Sequence, residues 1–421
     1  MSQCPFANFP NMIDPQTYAE GMPYDVLRDI RDSGPMHWMD DSYQGVPYWL
    51  VTGRDEIDAI SKNPTSFSSE VGTALAEEFS EDEIRDIHSQ MIINMDPPNQ
   101  LKYRKIVRAA FTPKAVDSLE PRFREHARNI VDRVAQRGEC EFVEEVAAEL
   151  PLLAILELCG VPAEDRKDFF EWTNAMMFNQ DEEMAADREV AEAASISVIT
   201  YAMQLAEKHK AEPKDDIIGA LLRGHGGVEG LNDDEFVWFF LLLIAAGNES
   251  TRTVTSHGMR MLMENPDQLQ YLIDNPDKIG NATEEMIRYN TAFIMMRRQC
   301  TEDTEIGGQL IKKGDKVILH YHTVNHDEKI FGDDAMKFDV TRPERMPDMY
   351  NQHRAFGVGQ HFCLGTHLAR LEVRVMFEEI IPRMRNPKLV EEIRYTKSNL
   401  VNGIKSMKIT FDPEARSEAA A

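Results

Sequence analysis

The chain is poor in cysteine and in basic residues, and both shortages exclude classes of protein. Only five cysteines occur in 421 residues and none belongs to a Cys-x-x-Cys pair, so neither a disulfide framework nor a zinc ribbon is indicated. There are 46 Lys and Arg residues against 72 Asp and Glu residues, a formal charge of -26. This balance argues against nucleic acid or an anionic membrane as the main partner. The scattered cysteines predict a reducing, cytoplasmic location.

Long apolar runs and flexible linkers are also missing. The longest apolar run, residues 236–247, is shorter than the roughly 20 residues that a membrane-spanning helix needs. Residues 1–10 have neither the basic start nor the apolar segment of a signal peptide, so we expect no membrane anchor. No Pro/Gly/Ser-rich stretch divides the chain. We therefore expect one domain over residues 1–421, with an N-terminal extension at 1–19 and a disordered tail at 415–421.

Helical periodicity dominates residues 119–223, with breaks at Gly138, Gly160 and Pro213. Two β-hairpins are predicted as minor elements. The first combines residues 36–39 with residues 48–52, and the second joins residues 298–306 to residues 309–311 through Gly307-Gly308. The pattern predicts a mostly α-helical protein with small β-sheets.

A cysteine-containing stretch near the C-terminus is the most informative part of the sequence. Residues 356–365 read Phe-Gly-Val-Gly-Gln-His-Phe-Cys-Leu-Gly, and a helix is predicted to begin directly after Cys363. The glycines allow the backbone to approach a bulky group and allow amides to point at the sulfur. The positive end of the following helix favours a thiolate over a thiol. Such a cysteine is a ligand or a nucleophile.

Three other interpretations of Cys363 are open from the residues alone. A lone cysteine beside a turn is commonly a buried structural thiol. His353, His361 and His367 lie nearby in sequence, but His-x-Cys-x3-His lacks the paired short spacings of zinc sites. A nucleophile would need a neighbouring base, and the sequence does not show which of the 12 histidines is close in space.

The second informative stretch is a long apolar helix that contains polar residues. Asn232, with Glu235 three residues later, predicts the start of a helix that continues through residues 236–263. Residues 245–251 of this run read Ala-Ala-Gly-Asn-Glu-Ser-Thr, a polar patch whose burial costs several kcal/mol unless it is compensated. Small residues allow a ligand to approach the backbone, and adjacent acid and hydroxyl groups can relay protons. A satisfied kink in a core helix is the competing interpretation.

The pattern Phe-x-x-Gly-x-His-x-Cys-x-Gly around Cys363 resembles the haem-thiolate signature of the cytochrome P450 family. Further stretches are similar to family motifs in the family's order: residues 245–251 to Ala-Gly-x-acid-Thr-Thr, and residues 285–288 to Glu-x-x-Arg. The resemblance covers residues 20–411. It departs at Ser250, where the family usually has the oxygen-binding threonine, and at Gln100, where it commonly has histidine.

The resemblance implies a mostly α-helical cytochrome P450 fold with small antiparallel β-sheets and one haem b bound through Cys363 as the metal ligand. It implies that Glu249, Ser250 and Thr251 are catalytic and help to deliver protons. The implied structural triad consists of Glu285, Arg288 and Arg342. The implied cofactor contacts are Gln100, Arg104, Arg298, His353, Phe356, Gly359, His361, Cys363 and Gly365. The implied hydrophobic pocket consists of Leu242, Ala245, Ala246, Ile294, Met295, Leu400 and Val401.

The implied reaction is hydroxylation of an unactivated C–H bond with dioxygen. The expected substrate is a hydrophobic small molecule such as a terpenoid, a steroid side chain or a hydrocarbon. Seven basic residues against three acids between positions 101 and 125 predict a docking patch for an acidic ferredoxin-type donor with its reductase, although an ordinary charged helix face has the same composition. A peroxide-driven or rearranging haem-thiolate enzyme and a non-enzymatic haem sensor or carrier are the alternatives.

Overall fold

The computed structural model describes residues 9–40, 43–73, 88–177, 188–214, 216–225 and 228–414, and single residues between them at 78, 80, 82, 84, 181 and 183. Helices dominate this part of the chain, as the sequence predicts. The α-helices are α1 (Tyr24–Ser33), α2 (Arg54–Ser61), α3 (Asn99–Val107), α4 (Pro113–Asp117), α5 (Glu120–Ala135), α6 (Glu149–Leu158), α7 (Arg166–Met177), α8 (Arg188–Ala211), α9 (Ile217–Arg223), α10 (Asp233–Glu264), α11 (Pro266–Asp274), α12 (Ile279–Tyr289), α13 (Tyr321–Val324), α14 (Glu328–Phe331), α15 (Arg342–Arg345), α16 (Met349–Gln352) and α17 (Thr366–Arg383).

The strands form small sheets beside this helical body. They are β1 (Met36–Met39), β2 (Tyr48–Val51), β3 (Phe67–Ser68), β4 (Glu139–Glu141), β5 (Gly224–His225), β6 (Val228–Glu229), β7 (Met295–Cys300), β8 (Thr304–Ile306), β9 (Gln309–Ile311), β10 (Lys316–His320), β11 (Arg385–Leu389), β12 (Arg394–Tyr395), β13 (Ile404–Ser406) and β14 (Lys408–Asp412). The largest sheet has the order β1-β2-β10-β7-β3, and a three-stranded sheet has the order β11-β14-β4. The pairs are antiparallel as expected, except β2 with β10, which is parallel.

The two predicted hairpins have different outcomes. The hairpin of β1 and β2 is confirmed, with Met36 paired to Val51 and Met39 to Tyr48. The turn at Gly307-Gly308 is also confirmed, because β8 and β9 pair across it. The predicted strand over residues 298–306 is wrong in its extent, since β7 ends at Cys300 and pairs with β10 and β3 of the large sheet instead.

Helix α10 crosses the helical body and has 32 residues, a length of about 48 Å at 1.5 Å per residue. The predicted start is confirmed: Asn232 Oδ1 accepts the amide of Glu235 at 3.0 Å, and Glu235 Oε2 accepts the amide of Asn232 at 2.9 Å. Its C-terminal half, residues 251–262, is buried throughout. Among the described residues no helix is long and apolar enough to cross a membrane.

The described part of the predicted N-terminal extension, residues 9–19, packs into the protein. Met12 and Ile13 are fully buried and Tyr18 is 3% exposed, in one apolar cluster with residues of β1, β2, β7 and β10. The Tyr18 hydroxyl donates to the Met12 carbonyl at 2.9 Å. Residues 415–421 lie outside the described residues, and the single-domain organisation stays a prediction.

The predicted ion triad joins three separate places in the chain. Arg288 Nε and Nη2 donate to the two carboxylate oxygens of Glu285, each at 2.7 Å, and Arg342 Nε donates to Glu285 Oε1 at 3.2 Å. All three side chains are 0% exposed. Arg288 also donates to the carbonyls of Asn325 and Ala335, at 2.5 and 3.0 Å. The predicted contacts are therefore confirmed, and they tie α12 to the segment that precedes the cysteine loop.

We expect Glu285→Ala or Arg288→Ala to lower the free energy of unfolding by roughly 3–5 kcal/mol, because each change leaves a buried charge without its partner. Urea unfolding followed by circular dichroism measures this loss. Arg345→Ala is the matched control: Arg345 pairs with Asp334 and Asp339 in the same region but is 45% exposed, so its loss should cost about 1 kcal/mol or less. Equal costs at Arg288 and Arg345 would contradict a structural triad.

Candidate active site

Backbone geometry fixes the loop that carries Cys363. The Cys363 amide donates to the Phe356 carbonyl at 2.9 Å, and the Phe362 amide donates to the Gly359 carbonyl at 3.1 Å. Gly357 and Gly359 have backbone φ angles of +68° and +75°, which residues other than glycine rarely adopt. A Cβ at Gly359 would lie 2.5 Å from the carbonyl oxygen of Ser61 in α2. Glycine is therefore required there for the loop to pack against α2.

Cys363 is an exposed residue and lines a cavity of about 660 Å³ between the loop and α3. Enclosure by the protein raises the pKa of this thiol, while the Gly365 amide and the positive charges of Arg104 and Arg370 lower it. Enclosure outweighs these three groups, so the pKa of Cys363 lies above that of an ordinary thiol, and the thiolate expected from the glycine-rich sequence stays a prediction. The other cysteines in the described part of the chain, Cys140, Cys159 and Cys300, are buried.

Basic and apolar side chains line the rest of this cavity. Arg104, Lys105 and Arg108 project from α3 and the turn after it, and Leu101 and Phe362 supply exposed apolar surface. Arg104 Nη2 donates to the Phe362 carbonyl, so the arginine also supports the loop. Cys363 therefore lies below a depression with a basic rim.

Arg298 and Arg104 lie next to the loop, close to His361. Arg298 is 3% exposed, and its Nη1 donates to the Thr73 hydroxyl and to the Arg297 carbonyl. Burial, Arg298 and Arg104 lower the pKa of His361 to about 3. In the part of the chain that the structure describes, neither Arg298 nor Arg104 forms an ion pair. Cations gathered without counter-charges in this way predict an anionic ligand.

Gln100 lies in α3 and is 1% exposed. Its Nε2 donates to the Gln360 carbonyl at 2.8 Å, while its Oε1 is buried without a hydrogen-bond partner. Gln100 therefore holds the cysteine loop through its amide. A direct contact between this side chain and a cofactor stays a prediction.

The expectation that His353 contacts the cofactor does not agree with its surroundings. Its Nε2 donates to Glu284 Oε1 at 2.6 Å, and its Nδ1 accepts the amide of Ala355 at 3.2 Å. Both ring nitrogens are thus occupied by protein groups, and the residue is 4% exposed. The neighbouring carboxylate of Glu284, which the sequence motif did not include, explains the difference.

One stripe of α10 is open. Ala246 is exposed, and Leu242, Ala245 and Ser250 are partly exposed, although the helix lies inside the protein. Spacings of four residues place Leu242, Ala246 and Ser250 on one face. Ser250 Oγ donates to the Ala246 carbonyl at 3.1 Å, one turn back along the helix. The stripe is apolar except for this hydroxyl.

The other two predicted catalytic residues point elsewhere. Glu249 is 2% exposed and pairs with Arg252 at 3.3 Å, and Thr251 is 4% exposed and lies close to Glu372 of α17. Successive side chains of an α-helix are about 100° apart, so three consecutive residues cannot share one open stripe. Ser250 alone of the three faces the open side, and the catalytic roles of Glu249, Ser250 and Thr251 stay predictions.

The predicted pocket segments near positions 294 and 400 do lie together. The Ile294 amide donates to the Leu400 carbonyl at 2.9 Å, and Phe293 pairs with Val401. However, Ile294 is 0%, Met295 3% and Val401 2% exposed, so these three belong to the core rather than to a pocket surface. The N-terminal segment covers Ile294 and Met295, which the sequence pattern did not reveal. Leu400 is partly exposed and stays a pocket candidate.

Sequence reasoning missed Glu284 and Arg370. Arg370 Nε and Nη2 donate to the Glu284 carboxylate at 2.7 and 2.6 Å, and the guanidinium carbon lies 4.6 Å from the centre of the Phe356 ring. Arg370 lies one turn into the helix that follows Cys363, which was the available signal. The zinc interpretation gains no support, because no group of three or more His, Cys, Asp or Glu side chains in the described residues could hold a metal ion.

Comparison with known proteins agrees with this fold and loop. The family model for cytochrome P450 matches residues 162–411, more than half of the chain. The chain therefore belongs to the cytochrome P450 family. It is a P450 monooxygenase, as both its relatives and its site indicate.

Relatives extend the match beyond the family model. The chain is 36% identical to the steroid C26-monooxygenase of Rhodococcus jostii, over 94% of this chain and 84% of the relative. It is 32% identical to the linalool 8-monooxygenase of Pseudomonas putida, over 96% and 99% of the two chains. A cytochrome P450 of Mycobacterium marinum, solved in complex with pseudoionone, superposes with a TM-score of 0.83 at 32% identity, over 92% and 94% of the chains.

The family binds a haem through a cysteine thiolate, and the residues of this chain fit that group. Cys363 is exposed on its glycine-shaped loop, and the Gly365 amide and the guanidinium groups of Arg104 and Arg370 favour its ionised form. The cations Arg298 and Arg104 and the imidazole of His361 lack carboxylate partners among the described residues, as expected beside the two propionates of a haem. The donor set and the charge therefore agree with haem-thiolate ligation.

We expect Cys363→His to abolish the red-shifted band that a thiolate ligand gives the ferrous carbon monoxide complex, because imidazole donates less electron density to iron. Absorption spectroscopy of the reduced, carbon monoxide-saturated protein measures the band. Cys140→Ala, which removes a buried thiol from β4, is the control and should keep it. An unchanged spectrum in the Cys363 variant would contradict the assigned ligand.

Proposed function

We propose that this protein hydroxylates an unactivated C–H bond of a hydrophobic small molecule, using dioxygen and electrons from a ferredoxin. The observation that carries the proposal is the exposed Cys363 thiol on its glycine-shaped loop, beside cations without counter-charges. The apolar stripe of α10 supplies a second surface, and we propose that the stripe and Cys363 border the same haem cavity. The expected cofactor is haem b.

The bound haem would supply oxygen activation, which thiolate ligation favours by donating electron density. The side chains around it have separate tasks. Cys363 would hold the iron, Arg104 and Arg298 would bind the propionates and neutralise their charge, and neutral His361 would donate a hydrogen bond to one of them. Leu242, Ala245 and Ala246 exclude water and accept apolar substrate, because small and aliphatic residues leave room without offering hydrogen bonds.

The substrate class follows from this apolar surface and from the relatives. Relatives are named for steroid and linalool oxidation, and pseudoionone occupies a related structure. We propose a terpenoid, a steroid side chain or a hydrocarbon as the substrate. A difference-spectrum screen of these classes tests this, because an apolar ligand that displaces water from iron shifts the haem absorption. Binding of none of them, with binding of polar compounds instead, would overturn the assignment.

We propose that the electron donor docks on the basic depression above Cys363. Lys105 and Arg108 line this depression and, like Lys114, form no ion pair within the described residues. Three of the other basic residues of this region are already paired: Lys102 with Glu235, Arg122 with Glu157, and Arg124 with Glu120. The unpaired cations are therefore available to an acidic partner, with apolar Leu101 and Phe362 at the centre.

We expect Lys105→Glu and Arg108→Glu each to slow reduction by a ferredoxin, and wild-type reduction to slow as salt is added, because exposed charges steer association. Stopped-flow measurement of haem reduction gives both rates. Lys388→Glu makes the same charge change on β11 and should leave reduction unaffected. Indifference to salt and to both reversals would place the donor elsewhere.

Ser250 is the polar group on the stripe, and it differs from the usual threonine by a methyl group. Without that methyl the χ1 angle is less restricted, so the hydroxyl can leave the Ala246 carbonyl and turn towards the cavity. A serine that stays bonded to Ala246 would favour the alternative of a peroxide-driven or rearranging enzyme. A haem sensor would not need the hydroxyl.

We expect Ser250→Ala to keep most oxygen consumption but to divert it to peroxide, because the hydroxyl that stabilises the productive proton position is lost. Ser250→Thr should be tolerated. Product and peroxide formed per reducing equivalent measure this coupling, with ferredoxin and reductase present. Thr251→Ala and Asn248→Ala are the controls, since both side chains are buried away from the stripe. Uncoupling in a control but not in Ser250→Ala would reassign the role.

A further inference from the structure

A partly buried charge network of Glu284, His353 and Arg370 lies behind the cysteine loop. Glu284 of α12 accepts hydrogen bonds from His353 Nε2 at 2.6 Å and from Arg370 Nε and Nη2 at 2.7 and 2.6 Å. Burial opposes ionisation of this carboxyl, but the hydrogen bonds outweigh it and lower the pKa of Glu284 to about 2. The ionised Glu284 carboxylate therefore holds both partners by accepting three hydrogen bonds.

Arg370 contacts the ring of Phe356, and His353 contacts the backbone just before it. The Arg370 guanidinium lies over the Phe356 ring at 4.6 Å, within the range of a cation–π contact. His353 Nδ1 accepts the amide of Ala355, the residue directly before Phe356. The Phe356 carbonyl accepts the Cys363 amide at 2.9 Å. The path from Glu284 to the ligand cysteine thus consists entirely of direct contacts.

The same network also bears on charge at the sulfur. The Arg370 guanidinium lies over the ring of Phe356, whose carbonyl accepts the Cys363 amide, so its positive charge is close to the sulfur. Its bidentate pairing with Glu284 offsets part of that charge, because an adjacent anion reduces the field of the cation. Side chains behind a metal ligand commonly tune the metal in this way.

We propose that Glu284, His353 and Arg370 are positioning residues for the cysteine loop: they hold Phe356 in place, and the balance of the Glu284–Arg370 pair sets the electrostatic potential at the Cys363 sulfur. The second half of this proposal rests on the proposed haem-thiolate function. The first half concerns the polypeptide alone and is testable in haem-free protein.

Hydrogen exchange of the haem-free protein tests the positioning role. The peptide that covers residues 356–363 should exchange at least about tenfold faster in Glu284→Gln and Arg370→Lys, because each change weakens or removes a charged hydrogen bond that holds the loop closed. Arg374→Lys is the matched control on the same helix, since Arg374 pairs with Glu120 at 2.6 Å and is 32% exposed against 24% for Arg370. Unchanged exchange at 356–363, or equal acceleration in α10 and in the loop, would overturn the role.

The reduction potential of the haem-loaded protein tests the electrostatic role. Glu284→Gln leaves Arg370 without its counter-charge and should move the potential in the positive direction. Arg370→Gln should move it in the negative direction, and the double variant should return towards the wild-type value. Simple loosening of the loop would move both single variants in the same direction, and that result would overturn the electrostatic role. Failure of the wild-type protein to bind haem would instead overturn the proposed function, and the exchange result would remain valid.

Discussion

Burial of charge is the constraint on which the site of this protein depends. Glu285, Arg288 and Arg342 are fully buried, and each is stable there only because the others and nearby carbonyls satisfy it. The contacts of the triad fix the segment that leads into the cysteine loop. One residue earlier, Glu284 binds His353 and Arg370 and fixes the loop from behind. Two adjacent glutamates of α12 thus organise two consecutive parts of the approach to Cys363.

The exceptions to this rule mark the site. Arg298 is buried without a carboxylate partner in the described residues, and His361 faces Arg298 and Arg104. A protein interior rarely keeps such cations unless an anion joins them. Cys363 is an exposed residue, while the other described cysteines are buried. These departures from ordinary packing agree with a cofactor that brings two carboxylates and a metal to the loop.

The packing of α10 explains why few of its side chains can contact a substrate or move a proton. Helix α10 is buried along its C-terminal half, and only one stripe of its middle part is open. Because side chains rotate by about 100° per residue, this stripe admits Ser250 but excludes Glu249 and Thr251. Those two residues contact Arg252 and Glu372 instead. Any part they have in proton movement must pass through these contacts or through water.

The sequence by itself determined the family, the cysteine expected to be the ligand, the capped start of α10 and the members of the ion triad, because each depends on local spacing or on a continuous motif. It also indicated the fold class, since helical periodicity is a local property. Tertiary structure decided which side chains are covered by the core and which contact the cysteine loop. Ile294 and Met295 are core residues because the N-terminal segment covers them, and His353 is a supporting residue because Glu284 occupies its ring nitrogen. Arg370 acts on Phe356 only once α12 and α17 meet. Such contacts join residues far apart in the chain, so no spacing in the sequence encodes them.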